Sequence, residues 1–389
     1  MNIAMLVLND MRADARVTRE AAALAACGHR VTVFALHSPD APDCEEHDGV
    51  RTVRVADQGT AGWSRPVTKA VQLRRRTRKL FEAAAGERPD VVHAHDTDTL
   101  VAAAQVARRT GAMLVYDAHE LYPDMLSEFG SGGSLPVQSY WKRVERRHVP
   151  GADAVVTVSA GLATELERRF GVSPVVLRNV PPLAELRDSD RLRADLDMRG
   201  DSRAIALYQG VLIPGRGLVR LVGAIAQVSG LVLAVQGFGP EEEAMRARVR
   251  ELGLEDRVRF MGRIAPEDLH EYACGADTGV VIYEHTTLNN YLAGPNKLYA
   301  YLMAGLPVAA SDFPGLSEVV EGDEVGVTFS PDVTESIATA LQRITDDRAG
   351  MREMARRARH LAETKYNWDI EKQTLLELYE RLDASRRRQ

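Results

Sequence analysis

The chain has 389 residues, 45% of them apolar, and a formal net charge of −6. That length exceeds what one hydrophobic core serves and fits two domains of ordinary size, while the acidic balance and the lack of a basic domain exclude nucleic acid as an expected partner. Three cysteines, Cys27, Cys44 and Cys274, without metal-ligand spacing, exclude a disulfide scaffold and predict a reducing compartment, the cytoplasm.

The short apolar start predicts no signal peptide, and no apolar run approaches the ~20 residues that span a bilayer. In the first half, predicted strands at 3–8, 30–35, 51–55, 91–94 and 113–116 alternate with helices at 17–27, 66–85 and 99–109. Helix 139–148, strand 154–158, helix 160–170 and strand 175–177 complete that series. Short buried strands separated by helices indicate a parallel sheet covered on both faces. Pro181, Pro182 and the charged run 185–203 carry no strand pattern and read as a connector. A second series follows, with strands at 204–209, 231–236, 258–261, 278–282 and 307–311. Its helices are predicted at 218–227, 241–251, 266–273, 297–304, 316–321 and 333–346. Helical stretches at 351–364 and 368–382 close the chain. The expected domains are 1–183, with helix 366–389 packing back on it, and 184–365. Two doubly wound domains leave one cleft, and ligands of such sheets sit at the carboxyl ends of the strands. The basic runs 74–79 and 141–148 lie on predicted helices and read as solvated faces, with weak peripheral contact to anionic lipid as the other reading.

After the first strand, the residues Asn9 to Arg16 lack the Gly-x-Gly-x-x-Gly that a dinucleotide needs. Asp10, Arg12, Asp14 and Arg16 either cap and salt-bridge the next helix or contact an acceptor. The segment His93-Ala94-His95-Asp96-Thr97-Asp98 could bind a divalent metal, or its carboxylates could cap the following helix. Capping is the simpler reading, because no further ligand stands at metal spacing, and no metal is expected. Tyr116-Asp117-Ala118-His119-Glu120 repeats the pattern at the next strand end. There His119 with Glu120 could act as a base or bind sugar hydroxyls, unless Asp117 merely holds a buried histidine.

The second half carries three glycine turns after strands: Gln209-Gly210 to Arg216-Gly217, Gln236 to Pro240 with Gly239, and Arg259 to Ile264. Glycine admits a phosphate closely and arginine binds it bidentately. Pro295-Asn296-Lys297-Leu298 then sets a lysine at a helix mouth, where backbone N–H groups of Leu298 and Tyr299 and the helix dipole favour an anion. Only six of the 49 basic residues are lysine, so this one is not read as generic surface charge. The convergence points to a nucleoside diphosphate, with Ile264 placed against its base.

Across nearly its whole length the chain resembles the retaining, nucleotide-sugar-dependent glycosyltransferases of the GT-B fold, in the large bacterial family-4-like group. The resemblance rests on Asn9-Asp10 through Val17, His93 to Asp96, Tyr116 to Glu120, Arg178-Asn179-Val180, Gln209 to Gly217, Gly239-Pro240, Arg259 to Gly262, Pro295 to Lys297 and Tyr366-Asn367-Trp368. It implies two Rossmann-like α/β domains facing a central cleft, acceptor on the N-terminal one and donor on the C-terminal one. By the same resemblance Arg216 and Lys297 hold the diphosphate and His119 lies near the donor sugar, with no metal or other cofactor. Donor contacts are then expected from Gly210, Gly239, Arg263, Ile264, Pro295, Asn296 and Leu298. Acceptor contacts are expected from Asp10, Arg12, Asp14, Arg16, His95, Asp96 and Glu120, and from the loops 57–66 and 121–136.

Three positions depart from the family pattern. Leu292 and Ala300 replace paired glutamates, the second of which grips ribose hydroxyls, so a deoxyribose donor such as a dTDP-sugar is expected alongside a UDP-sugar. Val211 replaces a second phosphate-binding arginine, which shifts the load to Arg216 and Lys297. Transfer to a hydroxyl or amine of a cell-surface polysaccharide or natural product is the expected activity. A metal-dependent hydrolase or deacetylase built on His93, His95, Asp96 and His119, a nucleotide-sugar binder without turnover, and an epimerase of the same fold are the alternatives. Oligomeric state is not legible.

Overall fold

The computed structural model describes residues 1–12, 14–55, 66–126 and 135–388; of the loops expected to contact an acceptor, 57–65 and 127–134 lie outside them, and 121–126 carries the short helix Tyr122–Met125. The chain divides into two compact units, Met1–Arg178 with Lys372–Gln389, and Asn179–Glu371.

The first unit is built on strands β1 (Asn2–Leu6), β2 (Arg30–Leu36), β3 (Cys44–His47), β4 (Val50–Val55), β5 (Val91–His95), β6 (Met113–Ala118), β7 (Ala154–Thr157) and β8 (Val175–Val176). They lie in the order β3-β4-β2-β1-β5-β6-β7-β8. All neighbours are parallel except β3 and β4. The order reverses between β1 and β5, which makes their carboxyl ends the switch point where such sheets bind ligands. Strand β3 has no counterpart in the predicted series, because its residues Cys-Glu-Glu-His are all exposed and carry no apolar alternation. Its turn is nonetheless readable: Asp48 and Gly49 both have positive φ, 51° and 73°, and join β3 to β4 as a two-residue hairpin loop. The last helix, Trp368–Arg386, returns to this unit, where Tyr379 is wholly buried and Arg386 pairs with Asp90 at 2.8 Å.

The second unit has strands β9 (Ala204–Gln209), β10 (Leu231–Gln236), β11 (Val258–Gly262), β12 (Thr278–Val281), β13 (Val308–Ser311) and β14 (Gly326–Phe329), in the order β11-β10-β9-β12-β13-β14. Its switch point lies between β9 and β12. Alternate residues of β9 enter opposite cores, Leu207 with Leu298, Tyr301 and Leu302 on one face, Ala206 and Tyr208 with Leu218 and Leu221 on the other. The connector expected to be irregular carries a short helix, Arg191–Asp195, whose Leu192 is fully buried. Strand β14 is also additional to the predicted series, since four residues give too short a pattern to read.

The helix Asn296–Met303 is fixed on this sheet by one tyrosine. The Tyr301 hydroxyl donates to the carbonyl of Leu207 at 3.1 Å and accepts from the amide of Gln209 at 2.9 Å. Its ring lies so close to Gly279 of β12 that a Cβ there would meet it at 2.3 Å. Lys297 stands one turn earlier on the same helix. Gly279→Ala is therefore expected to lift this helix, lowering unfolding free energy by about 1–3 kcal/mol in urea titration; an unchanged midpoint would contradict this packing.

Candidate functional site

In the second unit the switch point gathers Tyr208, Gly210, Arg216, Tyr283, Asn290 and Lys297. The Lys297 ammonium lies 4.0 Å from the centroid of the Tyr208 ring and 5.7 Å from that of Tyr283. The Arg216 guanidinium lies 4.2 Å over Tyr283 and donates to Asn290 Oδ1 at 2.9 Å. Tyrosine faces attract cations without neutralising them. Among the described residues Lys297 has no carboxylate and no hydrogen-bond acceptor. Burial, and then the charge of Arg216, hold its pKa well below the lysine range. A cation in that state gains free energy from any anion that arrives.

The glycines set the floor of this pocket. A Cβ on Gly210 would stand 2.9 Å from Lys297 Nζ, and one on Gly237 would stand 1.8 Å from the carbonyl oxygen of Gly210. Gly210 and Gly237 have φ of +148° and +158°, which side chains rarely adopt. The turns after β9 and β10 thus interlock, a contact that only glycine permits. Asn290, whose amide also reaches the carbonyl of Gly215 at 3.3 Å, positions Arg216. Asn290, Tyr208 and Tyr283 were not among the expected residues, since no motif marks them.

Other expected donor residues are distributed differently. Leu298 is 1% exposed, and its amide donates to the carbonyl of Pro295 at 3.1 Å. The N–H expected to await an anion at Leu298 is therefore already bonded, because the helix opens with a tight turn. Pro295 is buried, Asn296 exposed and Gly239 packs its backbone on Leu212. Arg263 is exposed and stacks 4.9 Å over Phe238, while Ile264 packs against the core. Ile264 also lines a cavity of about 640 Å³ at the β11 edge with Phe260, Met261 and Tyr272. Neither Lys297 nor Arg216 lines that cavity, so its size alone does not make it the anion site.

In the first unit, charge concentrates at the ends of β1, β5 and β6. Arg16 is 5% exposed, forks onto both oxygens of Asp117 at 2.9 Å each, donates to the carbonyl of Leu177 at 2.9 Å and lies 3.0 Å from Glu20. Its expected acceptor contact is replaced by a structural one, because the guanidinium is buried and committed. Asp14 likewise caps the helix Ala15–Ala26 by accepting from the amide of Val17 at 3.1 Å. Asp10 pairs with Arg12 at 2.9 Å, and both retain exposed surface.

His119 is the most constrained group. Its Nδ1 is 3.2 Å from Asp96 and its Nε2 is 3.1 Å from Asp117, with His95 Nδ1 at 3.3 Å. Burial opposes its charge, but Asp96 and Asp117 prevail and raise its pKa well above the usual value. Asp96 adopts φ 63° and ψ 166°. That backbone region is nearly reserved for glycine and costs about 1–3 kcal/mol. Its carboxylate, which also accepts from the His119 amide at 3.2 Å, does not cap the helix Thr97–Thr110 as the simpler reading expected. Nearby Asp98 is pushed up to about 8 by burial and by the charge of Asp96, and so stays protonated at neutral pH. Glu120 follows His119 in a part-buried turn.

Behind His119, Glu20, His93, His95 and Asp117 each offer an atom within 4.8 Å of the others, all buried. A divalent cation could fit such a set. The Arg16 guanidinium, however, already occupies the cationic position against both carboxylates. The set also differs from the hydrolase constellation, because Asp96 and His119 bind each other instead.

Residues 13–182 match the profile described as a Glycosyl transferase 4-like domain, and residues 203–347 that of Glycosyl transferases group 1. A glycogen synthase of Mycobacterium tuberculosis is 26% identical over 371 residues, covering 89% of this chain and 85% of that protein. A GDP-mannose-dependent phosphatidylinositol monomannoside mannosyltransferase of the same organism is 26% identical over 265 residues, 65% of this chain and 67% of its own. Among solved structures, a sucrose-phosphate synthase from Thermosynechococcus elongatus superposes with a TM-score of 0.84 at 24% identity, covering 99% of this chain and 100% of its own. Anabaena HepE, solved with UDP and glucose, does so at 0.75 with 18% identity, covering 98% and 99%.

A raised histidine pKa stabilises the fold fully below the ordinary value of 6.5, and that contribution is lost as pH rises through the folded value. NMR titration is expected to find His119 still an imidazolium above the ordinary range, with Asp96→Asn lowering its midpoint. A midpoint at or below the ordinary value would contradict the two-carboxylate clamp.

Proposed function

Because the chain belongs to the GT-B glycosyltransferases, we propose that it moves a sugar from a nucleoside diphosphate to an acceptor hydroxyl or amine in glycan or natural-product synthesis, with retention at the anomeric carbon. The observation that carries this reading is Lys297, which has no carboxylate partner among the described residues and lies beside Arg216, its Nζ against Gly210. A diphosphate would supply the missing charge. As the glycosidic bond of the donor breaks, negative charge grows on the leaving β-phosphate, and the two cations stabilise it most at that moment. The same phosphate oxygen can take the proton of the acceptor on the face where the new bond forms, so no carboxylate nucleophile is required. His119, held as a cation in a fixed orientation, is suited to a hydroxyl of the donor sugar.

The reading assigns the site to metal-free chemistry. Ala300 stands on the helix Asn296–Met303 and Leu292 just before it, where the family pattern carries glutamates. Without a carboxylate for the ribose hydroxyls, a dTDP-sugar is a fitting donor. Titration calorimetry is expected to give dTDP an affinity at least equal to that of UDP; clearly tighter UDP would exclude the deoxyribose assignment.

Lys297→Ala is expected to lower kcat by about 10²- to 10³-fold with a smaller change in donor KM. An unaffected kcat would refute the role of Lys297. Burial and Arg216 hold the free Lys297 pKa down, and a bound diphosphate would raise it again, so binding favours the protonated ammonium. Affinity for the nucleotide is therefore expected to weaken as pH rises toward the lysine range, and a pH-independent affinity would speak against this site.

A further inference from the structure

The last helix, Trp368–Arg386, brings one polar side chain into the interior of the first unit. The Tyr379 hydroxyl lies 2.9 Å from His93 Nδ1, although 286 residues separate them in sequence. His93 stacks on His95 with ring centroids 4.2 Å apart and an interplanar angle of 24°. His95 in turn meets His119 at 3.3 Å. Tyr379, His93 and His95 are 0%, 0% and 3% exposed, so the row from the last helix to His119 is sealed from water.

His119 Nε2 lies 3.1 Å from Asp117 Oδ2 and 3.3 Å from His95 Nδ1, and His95 Nδ1 lies 3.4 Å from the same carboxylate oxygen, so one oxygen orients both rings. If Tyr379 donates to His93 Nδ1, His93 carries its proton on Nε2. Among the described residues the Nε2 atoms of His93 and His95 are buried without hydrogen-bond partners, while Glu20 Oε1 is ion-paired with Arg16 Nε at 3.0 Å. Glu20 belongs to the same group of atoms within 4.8 Å. Without the tyrosine hydroxyl, the His93 proton can move to Nδ1. The His93 ring would also lose the bond that fixes its orientation and could turn, carrying the stacked His95 with it.

We propose that Tyr379 is a positioning residue for His119, acting through the tautomer of His93 and the stacked ring of His95. This rests on the reading that His119 meets the donor sugar, but the coupling itself can be measured without any turnover. Tyr379→Phe in the full chain keeps the ring and removes only the hydroxyl. It is expected to shift the imidazole nitrogen resonances of His95 and His119 at fixed pH, and to lower kcat by about tenfold with donor KM within about twofold. Arg386→Ala, which loosens the same helix at Asp90, serves as the control and is expected to leave those resonances in place. Unchanged resonances in Tyr379→Phe, or equal shifts in Arg386→Ala, would overturn the proposal, as would stoichiometric zinc in the purified protein with shifts that vanish on its removal. His119→Asn with full turnover would instead refute the role of His119 and leave the measured coupling standing.

Discussion

The second unit depends on placing Lys297 and Arg216 together where, among the described residues, no carboxylate pairs with Lys297. Lys297 is placed by the turn of helix that Tyr301 fastens to β9, and the hydroxyl of Tyr301 reaches β9 only because Gly279 leaves room for its ring. Tyr208 and Tyr283 then offer faces to the two cations, an attraction of order 0.5–2 kcal/mol that tolerates the charge without quenching it. A carboxylate in the same place would have stabilised the free protein and competed with a phosphate. On the proposed reading this arrangement awaits an anion, and the depressed pKa of Lys297 is what that readiness costs the unliganded state.

The first unit solves the opposite problem. Its charges are compensated and locked: Arg16 against Asp117 and Glu20, His119 between Asp96 and Asp117. Burial of such groups is tolerable only when each has partners, and Asp96 accepts a strained backbone to supply one. The result is a histidine whose ring cannot turn and whose charge persists near neutral pH. Behind it lie the Nε2 atoms of His93 and His95, unpartnered among the described residues, where the last helix closes the row.

Much of the architecture was legible because buried parallel strands and amphipathic helices leave separate periods in the sequence. Both sheets, the glycine turns and the lysine at the mouth of its helix follow from that pattern. The hairpin at Asp48-Gly49 carried a signal in its turn even though β3 had none in its strand. What could not be read depends on pairs distant in sequence. Asn290 holds Arg216 across 74 residues and Tyr379 meets His93 across 286. Arg16 is the instructive case: its position after a strand end suits acceptor contact and salt bridging equally, and only the arrival of Asp117 from β6 decides between them. Leu298 shows the same limit on a smaller scale, since the turn that bonds its amide to Pro295 is a matter of backbone geometry that residue types do not specify.

The most direct test is a crystal structure of the chain with a nucleoside diphosphate bound. The account predicts phosphate oxygens within about 2.7–3.2 Å of Lys297 Nζ and of the Arg216 guanidinium, above Gly210. A diphosphate seated elsewhere, such as in the cavity lined by Phe260 and Tyr272, with Lys297 still against Tyr208 and no anion beside it, would contradict the central claim.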